Sequence, residues 1–232
     1  IIDDGINFKN IYDGSNFLMT PKLSIETQNI LGSDIAMIFD CLININDPKE
    51  KQIEAINLTR KWGDETIKNH KNNKQALFGI IQGGLHKDLR ELSAKYMIDQ
   101  EYDGYAIGGL AIGESREERK EIVSYTIDIL PENKPRYVMG LGDTHGLIDL
   151  IEEGVDLFDC VWPSRLARHG KLIDGNEYIN IKNSRYKNDI DPINKDCPCY
   201  TCTNYSKAFL RHLIQNEPTS SWLYLTVHNL IQ

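Results

Sequence analysis

The hydrophobic positions of this chain fall into two alternating patterns. Short, continuous apolar runs are followed by longer stretches in which apolar residues recur every three or four positions. The first pattern predicts buried strands and the second predicts amphipathic helices, which together indicate an α/β fold with a parallel sheet. The predicted strands are 34–40, 76–81, 103–107, 136–139 and 155–161, and the predicted helices between them run from about 48 to 71, 85 to 96, 115 to 127 and 144 to 153. Ser115 and Glu118 have the spacing of a capping box at the start of the third of these helices.

The N-terminal region departs from this alternation. Residues 8–19 are polar, and Asp13-Gly14 marks the tip of a predicted hairpin. Thr20-Pro21 then has the composition of a helix N-cap followed by a proline in the first turn. The short helix that it starts is predicted to end at Gly32.

The C-terminal region departs from it as well. Beyond Gly170 the alternation stops, and residues 171–202 are predicted to form a small β-rich insert. Residues 205–215 have the period of a helix. Its inward-facing residues are predicted to be Phe209, Leu210 and Leu213.

Each predicted strand carries a small or polar residue at or next to its C-terminal end. In a TIM barrel the active site lies at that rim, and in a doubly wound open sheet ligands also bind beyond the strand ends. Five strands do not close an eight-stranded barrel, which suggests that part of the fold is missing, and the pattern alone leaves both architectures open. The residues at the rim are Asp40, Gln82, Gly108-Gly109, Gly140 and Asp159.

Composition narrows the class of protein. The 232 residues are 41% hydrophobic, and no apolar run approaches the 18 or so residues that cross a membrane. We therefore expect a soluble, cytoplasmic protein without an export signal. The net charge of −8 argues against indiscriminate coating of nucleic acid. Residues 155–232 are nevertheless balanced, with nine Lys/Arg and eight Asp/Glu, so an RNA partner would meet this C-terminal third.

Three of the five cysteines fall within six residues, in the spacing Cys197-X-Cys199-X-X-Cys202, and His228 follows. Three thiolates and one imidazole satisfy a closed, tetrahedral, structural Zn²⁺ site. A redox Cys-X-X-Cys pair and three unlinked core cysteines are the alternatives. The zinc site is favoured because a redox pair needs no third cysteine.

The stretch 155–170 combines a carboxylate with two arginines. Asp159 lies in an apolar run that predicts a buried strand, where a carboxylate is costly unless it is paired or reactive. Arg165 and Arg168 follow and suggest a phosphate-bearing partner. On the residues alone, Asp40 and Asp159 could equally be helix caps, and the arginines could be solvated surface residues.

A series of motifs occurs along the chain in a fixed order. Together they resemble the tRNA-guanine transglycosylases from about Leu18 to the C-terminus. The motifs are Phe39-Asp40, Ile81-Gln-Gly-Gly84, the run from Asp103 to Glu114, Tyr137-Val-Met-Gly-Leu-Gly142, Phe158-Asp-Cys-Val-Trp-Pro-Ser-Arg165 and the Cys-X-Cys-X-X-Cys…His set.

The resemblance implies a TIM (β/α)8-type barrel, incomplete in this chain, with the base-exchange site in residues 1–170 and a zinc-binding, tRNA-contacting subdomain in 171–232. It implies a pentosyltransferase of queuosine biosynthesis, with structural zinc, that exchanges a guanine in tRNA for a 7-deazaguanine base. The tRNA would carry a GUN anticodon with that guanine at the wobble position. Family members commonly form homodimers through the zinc region, so we expect a homodimer here.

The resemblance also implies a role for each rim residue. Asp159 would be the nucleophile that attacks the ribose C1′ of the wobble guanosine. Asp40 would accept hydrogen bonds from N1–H and N2–H of the base, and Gln82 and the Gly109 N–H would address O6. Leu110 and Glu114 would bind an aminomethyl group, Tyr137 and Met139 would sandwich the ring, and Arg165 and Arg168 would contact tRNA.

The segment from Leu110 to Glu114 resembles that of the bacterial members. Ile112 would crowd out the cyclopentenediol of queuine, which favours 7-aminomethyl-7-deazaguanine as the incoming base. Cys160, next to the nucleophile, is expected to pack in the core. Incorporation of queuine at a comparable kcat/KM would contradict the preference.

Two departures from the family pattern matter. The family places a general acid/base aspartate in a Ser-Asp-Ser-Gly-Gly-Phe-Gln-like segment upstream of the first residue here, so we expect this chain not to turn over alone. Cys41-Leu42 stands where the family has Glu-Cys, so the cysteine that flanks the base is displaced or lost.

Two other functions stay open. A non-catalytic tRNA-binding paralogue or inactive subunit would be expected to lack the two rim aspartates, Asp40 and Asp159, which are both present. An unrelated TIM-barrel metallohydrolase would need histidines at the strand ends to hold an open metal site, and the predicted ends carry none.

Overall fold

The computed structural model describes residues 1–110, 113–175 and 177–232. The chain divides into two compact units, residues 1–159 and residues 160–232. The predicted division after Gly170 separates the base-exchange site from the zinc-binding, tRNA-contacting subdomain. It is a division by function, and it stays a prediction.

Unit 1 consists of a hairpin and a β/α sheet. The hairpin strands are antiparallel, and the strands of the sheet are parallel. The strands are β1 (Ile6–Lys9), β2 (Asn16–Met19), β3 (Ile35–Met37), β4 (Ala76–Ile81), β5 (Gly104–Ile107), β6 (Arg136–Val138) and β7 (Leu157–Phe158). The helices are α1 (Pro21–Leu31), α2 (Lys49–Asn69), α3 (Lys87–Ile98), α4 (Arg116–Asp128) and α5 (Thr144–Glu152).

The described strands of the main sheet follow the order β3-β4-β5-β6-β7, so each strand pairs with the next one along the chain. A parallel strand must be reached by a crossover, and α2 to α5 supply these crossovers. The result is a curled parallel half-barrel. All its strands end at one edge, and this common edge brings the rim residues together.

The core of unit 1 lies between the sheet and its helices. The central strand β5 is buried along its whole length. Helices α3 and α4 place apolar residues against the sheet at helical spacing, as the pattern predicts. The buried residues of this layer include Ile80, Ile81, Ala106 and Ile107 from the strands and Leu89, Ala94, Met97, Ile122 and Val123 from α3 and α4.

The helix ends confirm the cap predictions. The Thr20 side chain accepts the Leu23 N–H at the start of α1, and Gly32 ends that helix with φ +66°. Ser115 and Glu118 form a reciprocal capping box at the start of α4. These motifs depend on neighbouring residues alone, so local sequence was sufficient to find them.

Unit 2 is more helical than predicted. Residues 171–202 contain one hairpin, a 3-10 turn at Ser184–Tyr186 and a short helix, so the predicted β-rich insert is correct only for the hairpin. Two helices, at 162–168 and 218–231, were not predicted. The elements are α6 (Trp162–Arg168), β8 (Lys171–Asp174), β9 (Glu177–Asn180), α7 (Tyr200–Asn204), α8 (Lys207–Asn216) and α9 (Pro218–Ile231).

The predicted inward face of α8 was partly wrong. Leu210 and Ile214 are buried, whereas Phe209 is 40% exposed and Leu213 is half-buried. The Phe209 ring instead stacks on Tyr205, with 4.9 Å between the ring centroids. Aromatic stacking at the surface therefore replaces burial in the core for this residue.

Among the described residues, no helix is both long enough and apolar enough to span a bilayer.

Candidate functional site

A cavity of about 320 Å³ opens at the rim of the half-barrel. It is lined by residues that follow five successive strands, β3 to β7. The predicted residues Asp40, Gln82, Gly109, Leu110, Tyr137, Met139 and Asp159 all line it, together with Leu42, Gly108 and Gly140. The structure thus brings seven of the eight predicted base-site and nucleophile residues to one cavity.

Asp40 and Gln82 form a hydrogen-bonded pair on one wall of the cavity. The Gln82 Nε2 donates to Asp40 Oδ2 at 2.5 Å. Burial raises the pKa of Asp40 above its usual value, and the hydrogen bond from Gln82 partly opposes that rise. Gln82 is itself buried, and its backbone N–H donates to Ser93 Oγ at 3.0 Å. The pair is therefore held from the α3 side, with one Asp40 oxygen already engaged.

Gly108 and Gly109 leave room for the Gln82 side chain. A Cβ on Gly108 would lie 2.8 Å from Gln82 Nε2, and one on Gly109 would lie 2.6 Å from Gln82 Oε1. Gly109 also has φ +69°, which residues with a side chain rarely adopt. The predicted role of the pair was to present the Gly109 N–H to O6 of a base, and accommodation of the Gln82 side chain is a second one.

Asp159 is held by two hydrogen bonds to one of its oxygens. Tyr137 Oη donates to Asp159 Oδ1 at 2.5 Å, and the Gly140 N–H donates to the same oxygen at 2.7 Å. Burial, and then the hydrogen bond to Asp159, raise the pKa of Tyr137. Within the described residues, Asp159 Oδ2 makes no hydrogen bond, so one oxygen is oriented while the other remains available.

The prediction that Asp159 lies buried inside a strand was wrong. Strand β7 has only two residues, and Asp159 follows it as an exposed residue. The apolar run 155–161 predicted a longer strand because Cys160 and Val161 continue the pattern. In the structure the chain leaves the sheet at Asp159, which places the carboxylate at the open rim.

Leu42 is a cavity residue that sequence analysis did not assign. It is 53% exposed and lines the cavity, whereas Cys41 is 4% exposed and packs in a cluster with Ala55 and Trp62. The Cys41 N–H donates to Thr59 Oγ1 at 2.9 Å, which turns this residue toward α2. The sequence held one signal for Leu42. Cys41-Leu42 stands where the family has Glu-Cys, so the residues next to Asp40 were known to differ.

One predicted base-site residue does not line the cavity. Glu114 is half-buried and does not line the cavity, although it acts electrostatically on Arg90 of α3. Ile112, predicted to exclude queuine, falls outside the described residues. Gly140 was noted only as a strand end, and its N–H contact to Asp159 adds it to the site.

Arg165 and Arg168 both lie on α6 in unit 2 and are exposed. Their spacing of three residues puts them on neighbouring positions of the helix surface. Within the described residues neither guanidinium forms a salt bridge, so both can meet an anionic partner. Cys160 is half-buried, and its Sγ accepts the Trp162 N–H at 3.2 Å at the start of this helix.

Cys197, Cys199, Cys202 and His228 converge in unit 2. All four are buried, and their ligand atoms lie within 4.8 Å of one another. The distances from His228 Nδ1 to the three sulfurs are 3.7, 3.6 and 3.3 Å. Zinc at the centre of a tetrahedron with ordinary Zn–S and Zn–N lengths would separate sulfur from nitrogen by about 3.6 Å. The residues therefore fit Zn²⁺ closely.

The surroundings of this cluster orient its ligands. His228 Nε2 lies 2.7 Å from the Ile173 carbonyl, which can only accept, so Nε2 carries the proton and Nδ1 is free to bind metal. Burial lowers the pKa of His228, which keeps the imidazole neutral. Burial raises the pKa of the Cys202 thiol to about 12, a rise that a bound cation would reverse.

The whole chain is similar to proteins of known name. A sequence model described as "TGT: Queuine tRNA-ribosyltransferase" matches residues 1–232. Proteins named queuine tRNA-ribosyltransferase from Pediococcus pentosaceus and Staphylococcus haemolyticus are 41% and 43% identical to the chain over 231 residues. One from Desulforamulus reducens is 42% identical over 230 residues. These matches cover 99% of this chain but span only 61%, 61% and 62% of the three relatives' own lengths.

Proposed function

The chain belongs to the queuine tRNA-ribosyltransferase family, and from that premise we propose that it carries the base-exchange site of a tRNA-guanine transglycosylase. The single observation that supports this most is the cavity at the rim, where residues from five successive strand ends meet. Two of them are carboxylates in different surroundings, which suits two different roles. In the whole protein the half-barrel would be part of a complete TIM barrel.

The proposed reaction replaces one glycosidic bond by another through Asp159. Its unengaged oxygen, Oδ2, attacks ribose C1′ of the wobble guanosine, and the bond from C1′ to N9 of guanine breaks as the aspartyl ester forms. Guanine leaves with the bonding electron pair and takes up a proton. The incoming base then attacks C1′ through N9, loses a proton, and releases the carboxylate. The exchange is balanced and needs no redox partner.

The hydrogen bonds to Asp159 Oδ1 suit this role. Tyr137 Oη and the Gly140 N–H hold the carboxylate in one orientation, so the attacking oxygen faces the nucleotide without a search through rotamers. The target nucleotide would enter the cavity flipped out of its stack. Exposure of Asp159 at the rim is compatible with a macromolecular substrate, which must approach from outside.

The opposite wall would read the base. Ionised Asp40 would accept hydrogen bonds from N1–H and N2–H, while Gln82 and the Gly109 N–H would address O6. Tyr137 and Met139 alternate with buried Val138, which places both on the cavity side of β6, where they would sandwich the ring. The Leu110 carbonyl and Glu114 would bind the aminomethyl group of 7-aminomethyl-7-deazaguanine.

Unit 2 would supply the tRNA contacts and a structural brace. Arg165 and Arg168 would bind phosphates, and a zinc ion in the cysteine cluster would cross-link the fold around α7 and α9 without taking part in the chemistry. We further propose that the whole protein acts as a homodimer on tRNAs with a GUN anticodon.

Base binding by the zinc-loaded chain tests the proposal. Calorimetric titration with 7-aminomethyl-7-deazaguanine should give one site per chain, and Asp40→Asn should weaken that binding by about 100-fold or more. Asp143→Asn is a matched control, because Asp143 caps α5 near the same rim without lining the cavity, and asparagine is an equally good cap. A chain that binds tRNA but no base would instead be the non-catalytic paralogue.

A further inference from the structure

Arg90 is fully buried. Among the largest fully buried side chains of the described residues, it is the only charged one. It lies in the first turn of α3. Burial lowers the pKa of its guanidinium to about 9, a fall that the negative charge of Glu114 opposes, so the group stays positive at neutral pH. Burying a cation costs free energy unless its N–H donors form hydrogen bonds. The proposed reaction gives Arg90 no role.

The Arg90 guanidinium joins the ends of two neighbouring strands. Its Nε donates to the Gly84 carbonyl at 2.9 Å, and its Nη1 donates to the Ile81 carbonyl at 2.9 Å and the Gly108 carbonyl at 2.8 Å. Ile81 and Gly84 flank the turn that carries Gln82, after β4. Gly108 follows β5. A single side chain therefore fixes both backbone segments that meet at the base-reading wall.

The contact with Gly108 sets the direction of the next N–H. In a trans peptide the C=O of residue 108 and the N–H of residue 109 point in opposite directions. Because the Gly108 carbonyl points at buried Arg90, the Gly109 N–H points away from it. Within the described residues this N–H has no acceptor, whereas the Gly108 N–H donates to the Ile81 carbonyl at 2.9 Å.

Arg90 also has a donor to spare. Its Nη2 is buried and has no hydrogen-bond partner within the described residues. A side chain present only to satisfy its surroundings would not be expected to leave a buried donor unpaired. The position of the guanidinium is thus set by the three carbonyls that it holds, and not by full use of its own groups.

From these contacts we infer that Arg90 is a positioning residue, which orients the Gly108–Gly109 peptide so that the Gly109 N–H meets the O6 oxygen of the base. The inference rests on the proposed function, since it assumes that a guanine-like base occupies the cavity. Arg90 touches no base atom in this arrangement and acts through the backbone. Arg90 would therefore affect the preference for bases that carry O6 more than the affinity for bases in general.

Selectivity between two bases tests the inference. The probes are 7-deazaguanine, which has O6, and 2-aminopurine, which lacks both O6 and the N1–H donor, and both are titrated into the zinc-loaded chain. Arg90→Met, which keeps the apolar stem without the donors, should lower the preference for 7-deazaguanine by about tenfold, the worth of one hydrogen bond. Arg90→Lys should restore part of it. Arg60→Met is the matched control, because Arg60 packs on Tyr96 and does not line the cavity.

The outcomes separate the two proposals. An unchanged preference in Arg90→Met overturns the inference alone, and binding of neither base by the unsubstituted chain overturns the proposed function together with it. If Arg90→Met fails to fold, amide exchange in the unsubstituted chain decides. The Gly109 N–H should become protected on adding 7-deazaguanine but not 2-aminopurine, and equal exchange with both bases would overturn the inference.

Discussion

The cysteine cluster of unit 2 and the rim cavity of unit 1 use polar side chains in contrasting ways. In the cluster, four buried ligand atoms lie within 4.8 Å of one another and leave no space for a substrate. At the rim, Asp159 is exposed, Asp40 is half-buried, and a cavity of about 320 Å³ separates the walls that they occupy. The cluster is closed on itself, whereas the rim is open to a ligand.

The difference teaches what each site is built to do. Convergent ligands around one point gain their free energy when a cation binds, and that energy stabilises the fold. Convergent groups around an empty volume gain nothing until a ligand arrives. Changes in the cluster should therefore alter folding, and changes at the rim should alter binding with little effect on folding.

Removal of the metal should have the largest effect. Binding of zinc to closed sites is worth on the order of 10 kcal/mol, so chelation or Cys199→Ser should abolish cooperative folding of residues 160–232. Circular dichroism during thermal unfolding, combined with metal analysis, measures this. Cys41→Ser is the control, since Cys41 is a buried cysteine outside the cluster. One zinc per chain retained in Cys199→Ser would break the comparison.

Loss of the Asp40 carboxylate should have the next largest effect. In the proposed complex Asp40 accepts two charge-assisted hydrogen bonds from the base, so Asp40→Asn should weaken base binding by about 100-fold or more. The unfolding temperature should change little, in contrast to the metal-site variants. A variant that unfolds as readily as Cys199→Ser would show that the rim is structural as well.

The pH dependence should identify Asp40 further. Because burial raises its pKa, base binding should weaken as the pH falls through that raised value, where the carboxylate is protonated. The stability effect has the opposite sign. The folded state holds the proton more tightly than the unfolded state, so the contribution of Asp40 to the free energy of unfolding is fully present at low pH and is lost as the pH rises through the raised pKa. Both dependences should be absent in Asp40→Asn.

Arg165 and Arg168 test whether unit 2 does more than brace the fold. Replacing both by alanine should lower tRNA affinity by about tenfold and reduce the slope of log affinity against log salt by about two. Lys195→Ala is the control, because Lys195 is already paired with Asp191. Filter binding over a range of salt concentrations measures both quantities, and an unchanged slope would exclude phosphate contacts by these arginines.

Two glycines with similar positive φ angles give the smallest effect. Gly32→Ala and Gly109→Ala should each cost about 1 kcal/mol of stability for the positive φ. A Cβ at Gly32 meets nothing within 4 Å, whereas one at Gly109 would meet Gln82. Only Gly109→Ala should therefore weaken base binding, as titration can show. Equal effects of both variants on binding would remove the role assigned to Gly109.

Local signals made much of the fold predictable. The caps of α1 and α4 depend on residues a few positions apart, and the alternation of apolar runs and amphipathic stretches predicted the parallel sheet. Helices α6 and α9 could not be predicted in this way, because they depend on tertiary packing against each other. Asn229 Nδ2, for example, donates to the Pro163 carbonyl, which lies in the first turn of α6.

The candidate site was predictable where residue types carry chemistry. The strand-end residues Asp40, Gln82 and Asp159 were found from their positions, and the structure places them at one cavity. The exposure of Asp159 could not be predicted, because the length of a strand depends on its pairing with neighbouring strands. Arg90 was missed because a charged residue in an amphipathic helix is expected to face solvent. Its burial follows from three backbone carbonyls that only the folded chain brings together.

The central claim is that Asp159 forms a covalent bond to ribose in this cavity. The most direct measurement is trapping of a tRNA adduct by the whole protein, which includes the general acid/base segment that the resemblance implies, in the presence of 9-deazaguanine, whose carbon at position 9 cannot restore the glycosidic bond. Denaturing electrophoresis should show one slow-moving adduct that is lost in Asp159→Asn and kept in Asp143→Asn. An adduct of equal yield in Asp159→Asn, or none from a chain that binds both tRNA and base, would contradict the account.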